Sequence, residues 1–480
     1  MPRIELPIAN GYYESESLPI SAQRCINWYP NIPQAPALGQ ETLLGTPGIG
    51  QLVTTGQVQQ VNRGSHTMAG IPYFVNGQTL YRLNRTVTES GDEFSFDALG
   101  TVSGSGRVSM ADNGTQLMIL VPGGDGYIFT DSPDTLTQIT DSDFTANGAP
   151  QIVVFVDGYF VCNTDSKKFI VSALNDGLNW DALDFGSAEA DPDIIRAPHV
   201  HSNQLFIFGS ETIEVFQNLG GAGFPFQRIN GFVIPKGISS PFGVVETISS
   251  FMFIGAGVNE SPAIWRLVGN GVQKVSTTAI DKELASFTDE DVQISFAWAY
   301  ADKGAYFAGF TFRDTTFIYD LTSQRWHERS SRVGEDDERW RVNSITTAYG
   351  RVLVGDSKDG RIGALDSDLY FEYGNNIIRT NTTQPFSNQG EPLFVSAVEI
   401  TPESGVGNDD APDPVIRLSW SDDAKTFNNE IPRSLGKIGE YNRRCIWRRL
   451  GRFPRYRVLK WVMSDPVKAV LIKAEADARA

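Results

Sequence analysis

Short apolar runs recur along most of the chain, in pairs broken by a turn dipeptide. Ile152–Asn163, IVVFVDGYFVCN, shows the unit: two runs rich in Val, Phe and Tyr flank Asp157-Gly158. An Asp-Gly pair supplies the positive φ angles of a type I′ turn, whose twist suits a tight hairpin. Neither run alternates cleanly with polar residues, which predicts strands buried on both faces. Similar units turn at Asn76-Gly77, Asn113-Gly114, Ser202-Asn203, Ser249-Ser250, near Asp302, and at Tyr349-Gly350. The spacings between successive turns are 37, 44, 45, 47, 53 and 47 residues. A period drifting through the forties marks a propeller array. After most hairpins comes a third run (GYIFT, FIVSAL, TIEVF, AIWRL, FIYDL), so each repeat holds three or four strands. Such a blade cannot bury both faces alone and must stack on its neighbours around an axis. The competing architecture is a long β-sandwich with irregular hairpins.

The pattern divides the chain in three. Residues 1–42 read as an extended N-terminal arm in which aromatics alternate with prolines and no strand is long enough to pair. Trp28 and Tyr29 are costly to leave in water, so the arm is expected to pack on its own body or on a neighbouring subunit. Residues 43–366 carry the repeats, and Leu43–Val53 is placed to complete the last blade. One short helix is predicted around Ala279–Leu284, and Arg332–Arg341 reads as a charged solvated loop. In residues 367–480 the runs alternate instead: LFVSAVEI, VIRLSWS, CIWRRLG, RVLKWVM and AVLIKAEA. They predict a separate antiparallel β-sandwich. The fold class is therefore all-β: a six- or seven-bladed β-propeller, a C-terminal antiparallel β-sandwich and the N-terminal arm. The first repeat is short, which leaves six blades open.

Charge changes the functional picture more than composition does. The formal net charge is −17, which disfavours adhesion to duplex DNA, since that affinity comes mainly from Lys and Arg on phosphates. No apolar run approaches ~18 residues and no signal-peptide core opens the chain, so neither membrane insertion nor Sec export is expected. The cysteines Cys25, Cys162 and Cys445 are far apart and odd in number, as suits reduced, packed thiols.

Candidate chemistry is sparse. His199 and His201 share one strand face, but His66 and His327 lie far off and no zinc-binding spacing is present. Acidic segments such as Glu189–Asp193 and Asp409-Asp410 lack the spacing of a calcium loop. Gly104–Arg107, GSGR, precedes a predicted strand where a phosphate loop needs a helix. A propeller glycosidase needs paired carboxylates in a central pocket, and a sialidase needs three converging arginines; no rule picks either set here. Ser419–Glu430, SWSDDAKTFNNE, resembles the Asp-box hairpin of sialidases and related β proteins, a structural device in which Asp braces its own turn. No catalytic residue, metal site or cofactor is assigned.

The clearest local feature is Lys437–Lys460, with nine Lys/Arg, one acid and interleaved aromatics. Its candidate interface residues are Arg443, Arg444, Trp447, Arg448, Arg449, Arg452, Arg455 and Tyr456. Three readings remain: arginines on phosphates with aromatics stacking on bases, a protein interface anchored by Arg, Trp and Tyr, or arginine ladders paired to acids of the propeller.

Several stretches together resemble the packaged-DNA stabilisation proteins of short-tailed bacteriophages, also called tail hub or nozzle proteins. They are GSGRVSMA (Gly104–Ala111), GSETIEVFQNLGGA (Gly209–Ala222), PKGISSPFG (Pro235–Gly243), STTAIDKELASFTDEDV (Ser276–Val292) and RCIWRRLGRFPRYRVLK (Arg444–Lys460). The resemblance implies a homohexameric ring in the virion tail, below the portal and its adaptor ring, made in the host cytoplasm. It further implies that the ring extends the DNA channel, helps retain the packaged genome and carries the tail needle or plug and the tailspikes or fibres. DNA would pass through the lumen without sequence-specific binding. The rivals are a propeller glycosidase or sialidase and a carbohydrate-binding propeller without hydrolysis.

Overall fold

The computed structural model describes residues 3–56, 60–189, 193–220 and 223–479. Within them lie seven antiparallel blades. Six are residues 62–101, 109–138, 150–187, 195–234, 237–274 and 296–333. The seventh joins three strands from residues 342–366 to Gly48–Thr54, which pairs antiparallel with Arg361–Asp366. In the fifth blade the first strand is split into Gly237–Ile238 and Val244–Glu246, both paired to Phe251–Ala256. The ring closes where the seventh blade meets the first: the Thr67 and Thr346 hydroxyls are 2.7 Å apart, and Ser344 Oγ donates to Asn62 Oδ1 at 2.6 Å.

Seven apolar clusters fill the seven seams between blades. Strand periodicity explains why the middle strands lack polar alternation. In Gln204–Gly209, Leu205 and Ile207 enter the seam with the third blade, while Phe206 and Phe208 enter the seam with the fifth. Leu117 and Ile119 against Met118 and Leu120 repeat the arrangement one blade after the first. Period 2 is intact, but both faces are interior, so both must be apolar.

The turns follow the predicted chemistry. Asp157-Gly158 has φ of 49° and 89°, Ser202-Asn203 49° and 60°, and Tyr349-Gly350 56° and 72°, as type I′ requires. The first repeat is corrected. Its Asn76-Gly77 lies between the second and third strands, Ile71–Asn76 and Thr79–Thr88. The turn equivalent to the others is Ala69-Gly70, with φ of 51° and 81°, which lies 44 residues before Asn113-Gly114. The first blade is thus full length. The predicted helix spans Thr278–Ser286, capped by the Thr277 hydroxyl, and a short second helix follows at Asp289–Gln293. Ala279, Ile280 and Leu284 are buried in the seam between the fifth and sixth blades, so the helix is less surface-like than its length suggests.

The N-terminal residues depart from the expected unpaired arm. Arg3–Leu6 pairs with Val470–Arg479, Trp28–Asn31 with Thr42–Gly45, and Ala22–Ile26 with Arg379–Thr382. Both sheets of the C-terminal sandwich therefore contain N-terminal strands. One sheet runs Trp28–Asn31, Thr42–Gly45, Val470–Arg479, Leu393–Pro402, Cys445–Phe453. The other contains Ala22–Ile26, Arg379–Thr382, Tyr456–Met463, Val415–Ser421 and Ile431–Ser434. A parallel bridge from Ile26 to Glu328 makes the second sheet continuous with the sixth blade. Trp28 and Tyr29 face opposite sides of one strand: Trp28 is in the sandwich core and Tyr29 in the seam between the sixth and seventh blades. The three cysteines are buried free thiols. Among the described residues no helix is long and apolar enough to cross a membrane.

Ile49, fully buried in the closing strand, tests the closure. Ile49→Ala is expected to cost about 2–5 kcal/mol, read as a lower urea midpoint. Ile4→Ala, on a half-exposed side chain, is expected to cost under about 0.5 kcal/mol. Equal shifts would contradict a closing role. A second test concerns Arg63, buried at the start of the first blade, which donates to the carbonyls of Gly77, Val102, Ser103 and Gly106. Arg63→Ala strands these acceptors and is expected to lose on the order of 3 kcal/mol in the same assay; a loss within error would show that the loop 103–107 holds itself.

Candidate assembly surface and axial arginines

The basic stretch Lys437–Lys460 forms a corner between the two sandwich sheets. Cys445–Phe453 is the edge strand of one sheet, and Tyr456–Met463 lies inside the other. An exposed edge is a pairing hazard, and charge with backbone irregularity is the usual protection. Both are present: Arg448, Arg449 and Arg452 are exposed, and Arg449 and Gly451 take φ of 64° and 79°. This kink breaks strict alternation, so Cys445, Trp447, Leu450 and Phe453 all face inward.

The eight candidate residues separate into groups. Trp447 is buried in the sandwich core, its Nε1 donating to the Ile431 carbonyl at 2.7 Å, so it supports the surface from within. Arg444 makes two hydrogen bonds of 2.8 Å to Glu399. Those bonds, with Arg3 nearby, hold the Glu399 carboxyl below its usual range. Arg3 also reaches Glu475 and Asp477. Arg448 lines the same cavity of about 360 Å3. Arg455 and the half-buried Tyr456 border a shallow recess with Pro19 and Pro385. Among the described residues Arg443, Arg448, Arg449, Arg452 and Arg455 form no ion pair, whereas Arg444 does. The reading in which propeller acids pair this ladder therefore does not describe these five.

Sequence reasoning missed the residue that sets the corner. Arg457 is buried, donates to both Asp422 oxygens at 2.6 and 2.9 Å, and donates to the Leu450 carbonyl at 2.7 Å. Asp422 belongs to the Asp-box-like loop. Its neighbour Asp423 braces the turn as expected, accepting from Thr426 N, Ser421 Oγ and Lys425 N, which holds its carboxyl well below the usual range. The available signal was Arg457 opening the run RVLKWVM, with the Asp422-Asp423 pair in the Asp-box-like hairpin.

The histidines all have structural surroundings. His199 and His201 flank Glu246 at 3.0 and 2.7 Å. Burial alone would raise that carboxyl, but the two imidazole bonds outweigh it and hold it low. His66 meets Asp112 at 2.6 Å. Burial, with Arg329 adding to it, pushes His327 down to about 3. Residues 190–192 of the acidic segment Glu189–Asp193 lie outside the described residues; Asp193 accepts from Glu211 N and Thr212 N. Among the described residues no group of three or more His, Cys, Asp or Glu could hold a metal ion.

GSGR is the connection from the first to the second blade. It carries Arg107 to the propeller axis, where the guanidinium lies 3.6 Å from the centre of the Phe296 ring and donates to the Asn343 carbonyl and Oδ1. Phe296 opens the sixth blade and Asn343 the seventh, so this side chain spans the centre of the ring. Arg339 approaches the same ring at 5.7 Å.

Comparison with known proteins fits this geometry. A family described as bacteriophage P22 Gp10, beta-propeller, matches residues 4–370, and one described as bacteriophage P22 Gp10, beta-sandwich, matches residues 379–479. The tail hub protein gp10 of Salmonella phage P22 is 23% identical over 403 residues, covering 80% of this chain and 82% of that protein. Among solved structures, the WD40 β-propeller domain of Doa1 is 13% identical with a TM-score of 0.40, covering 66% of this chain and 97% of that one. The N-terminal domain of Nup159 is 9% identical with a TM-score of 0.41, covering 70% and 98%. At those scores the two structures carry no argument. The propeller match reaches back to residue 4, as the closing strand and the N-terminal sandwich strands require, and with the sandwich match beside it the chain belongs to the bacteriophage P22 Gp10 family.

Proposed function

We propose that this chain is a structural component of a short-tailed phage tail: a hub without catalysis that works through protein contacts. In this reading six copies form a ring below the portal and adaptor. The ring extends the DNA channel, helps retain the packaged genome, and anchors the needle or plug and the tailspikes or fibres. Residues 43–366 supply the body, and residues 367–480, with the N-terminal strands, supply the contact surface. Support comes from the two family modules in order and from the P22 relative, a tail hub protein. The observation that carries the contact surface is the sandwich corner: exposed arginines without ion pairs on a chain of net charge −17. A closed ring of identical copies uses two different patches that meet head to tail. A basic patch on one copy then meets an acidic flank on the next, and DNA passing through an acidic lumen is not held.

The enzyme reading meets a specific obstacle. The axial cavity, where a propeller glycosidase would hold paired carboxylates, is lined by Arg107, Arg313 and Arg339 with aromatic and proline side chains, and no Asp or Glu lines it among the described residues.

Joint reversal of Arg449, Arg452 and Arg455 to Glu is expected to abolish ring assembly on portal–adaptor complexes, scored by particle imaging, with the circular dichroism spectrum unchanged. Rings that still form would refute the corner as a contact. A wild-type chain that stays monomeric on those complexes and releases reducing sugar from host polysaccharide would refute the structural role itself.

A further inference from the structure

The axial cavity has a volume of about 660 Å3 and draws its lining from the second, fifth, sixth and seventh blades. Two chemistries meet in it. Part of the lining is apolar, with Pro122, Pro241, Phe242, Ile294, Phe296 and Phe312, and Arg107 stacks on the Phe296 ring within it. The hydrogen-bond partners of Arg107 and Arg339 are neutral: Arg107 bonds to Asn343, and Arg339 bonds to the Trp340 carbonyl and, at 3.4 Å, to Asn343 Oδ1. Arg313 stands at the rim, already paired with Asp291 and near Asp314. Burial, with the neighbouring Arg339 charge, pushes Arg107 down to about 9, so it stays cationic at neutral pH. Burial lowers Arg339 as well, against the opposing pull of Glu338, Asp356 and Asp314.

Two half-buried guanidinium groups beside one aromatic ring repel each other; Glu338, Asp356 and Asp314 offset the Arg339 charge from outside the cavity, and among the described residues no carboxylate lines the cavity itself. Two other buried arginines of this acidic chain take an acid, Arg341 with Asp356 and Arg457 with Asp422, whereas Arg63 is held by four carbonyls. A planar anion between Arg107 and Arg339 supplies what the cavity lacks, because a carboxylate accepts from two guanidinium forks at once. We propose that this cavity is a binding site for a carboxylate-bearing peptide segment of another protein, one acidic side chain or chain terminus next to an apolar side chain.

Charge complementarity selects the carboxylate, and the lining selects a peptide over a sugar. A sugar ring brings several hydroxyls that both donate and accept, whereas the polar side chains of this lining are three donor-only arginines, Ser105, Gln293 and an Asn343 already engaged by arginine. A prolyl and aromatic wall suits an apolar side chain. A phosphodiester is disfavoured because the net charge of −17 repels the polymer around it. The three family-like stretches GSGR, PKGISSPFG and STTAIDKELASFTDEDV lead into this one place, through Arg107, Phe242 and Gln293–Phe296. The cavity is separate from the sandwich corner, so its test does not depend on ring formation.

Hippurate, which joins a carboxylate, an amide and an aromatic ring, is the probe. Titration calorimetry on the full-length chain is expected to show saturable binding that weakens about tenfold or more with Arg107→Gln and with Arg339→Gln. The neutral hippuramide is expected to bind about tenfold more weakly to the wild type. Arg339 ends the short strand Asp336–Arg339, outside the loop that carries Arg107, so Arg339→Gln reports even where Arg107→Gln disturbs that loop, and unfolding curves for both variants establish that each is folded. The proposal is overturned by absent hippurate binding, by equal affinity for hippuramide, by unchanged affinity in a folded Arg339→Gln, or by tighter binding of glucuronate or inorganic phosphate than of hippurate.

Discussion

A blade with two apolar faces has no stable existence alone, and the remaining structure follows from that constraint. Seven seams need seven neighbours, so the ring must close, and the last three strands, residues 342–366, lack a fourth. Gly48–Thr54 supplies it across some three hundred residues of intervening chain. Closure by a distant strand has a large entropic cost before any seam forms. The interlock is correspondingly buried: Ile49 sits with Trp298, Trp340 and Val354 in the seam between the sixth and seventh blades.

The same segment couples the two modules. Immediately before the closing strand, the chain runs through both sandwich sheets, and Asn27 marks the crossing. With φ of 58°, it donates to the carbonyls of Ser330 and Ile378 and accepts from Ser330 N, joining propeller and sandwich through one side chain. Trp28 and Tyr29 then anchor one strand in both cores. A hinge at this junction would have to expose two large aromatic side chains, each worth roughly 2–3 kcal/mol of burial. The geometry favours a rigid coupling, which suits a part that transmits load and alignment, as the proposed role demands.

How much of this was legible depended on the distance between partners. The hairpins could be read because their information is local: Asp157-Gly158 and Tyr349-Gly350 name their own turn type. The sandwich strands of residues 393–476 could be read from alternation. The first blade was misphased because Asn76-Gly77 offers better turn chemistry than the true equivalent, Ala69-Gly70, where a non-glycine residue takes positive φ. The closing strand was legible in Leu43–Val53, but the strands before it could not be read, because they are two to five residues long and Arg3–Leu6, Ala22–Ile26 and Thr42–Gly45 find partners hundreds of residues away. In the basic stretch, composition showed the charge reversal but not which side chains face out. The kink at Arg449 shifts the phase, so Trp447 goes inside although it stands among exposed arginines. Arg107 was dismissed with its loop because the loop precedes a strand; what matters there is the axis it reaches, and that belongs to the closed ring.

Copies of a chain at net charge −17 repel one another, which taken alone counts against a ring. Screening alters the comparison. At physiological ionic strength the Debye length is about 8 Å, so acids spread over a subunit act weakly across an interface, while an arginine meeting a carboxylate acts at contact. Local charge reversal therefore outweighs net charge at short range. The corner supplies such a reversal, with Arg449, Arg452 and Arg455 exposed beside a crossing pinned by the Arg457–Asp422 pair. The fixed pair keeps the mobile-ended side chains on one face, which lowers the ordering cost of any contact they make. In the proposed ring, diffuse acidity would keep polyanions from sticking while a few placed arginines let like-charged copies meet.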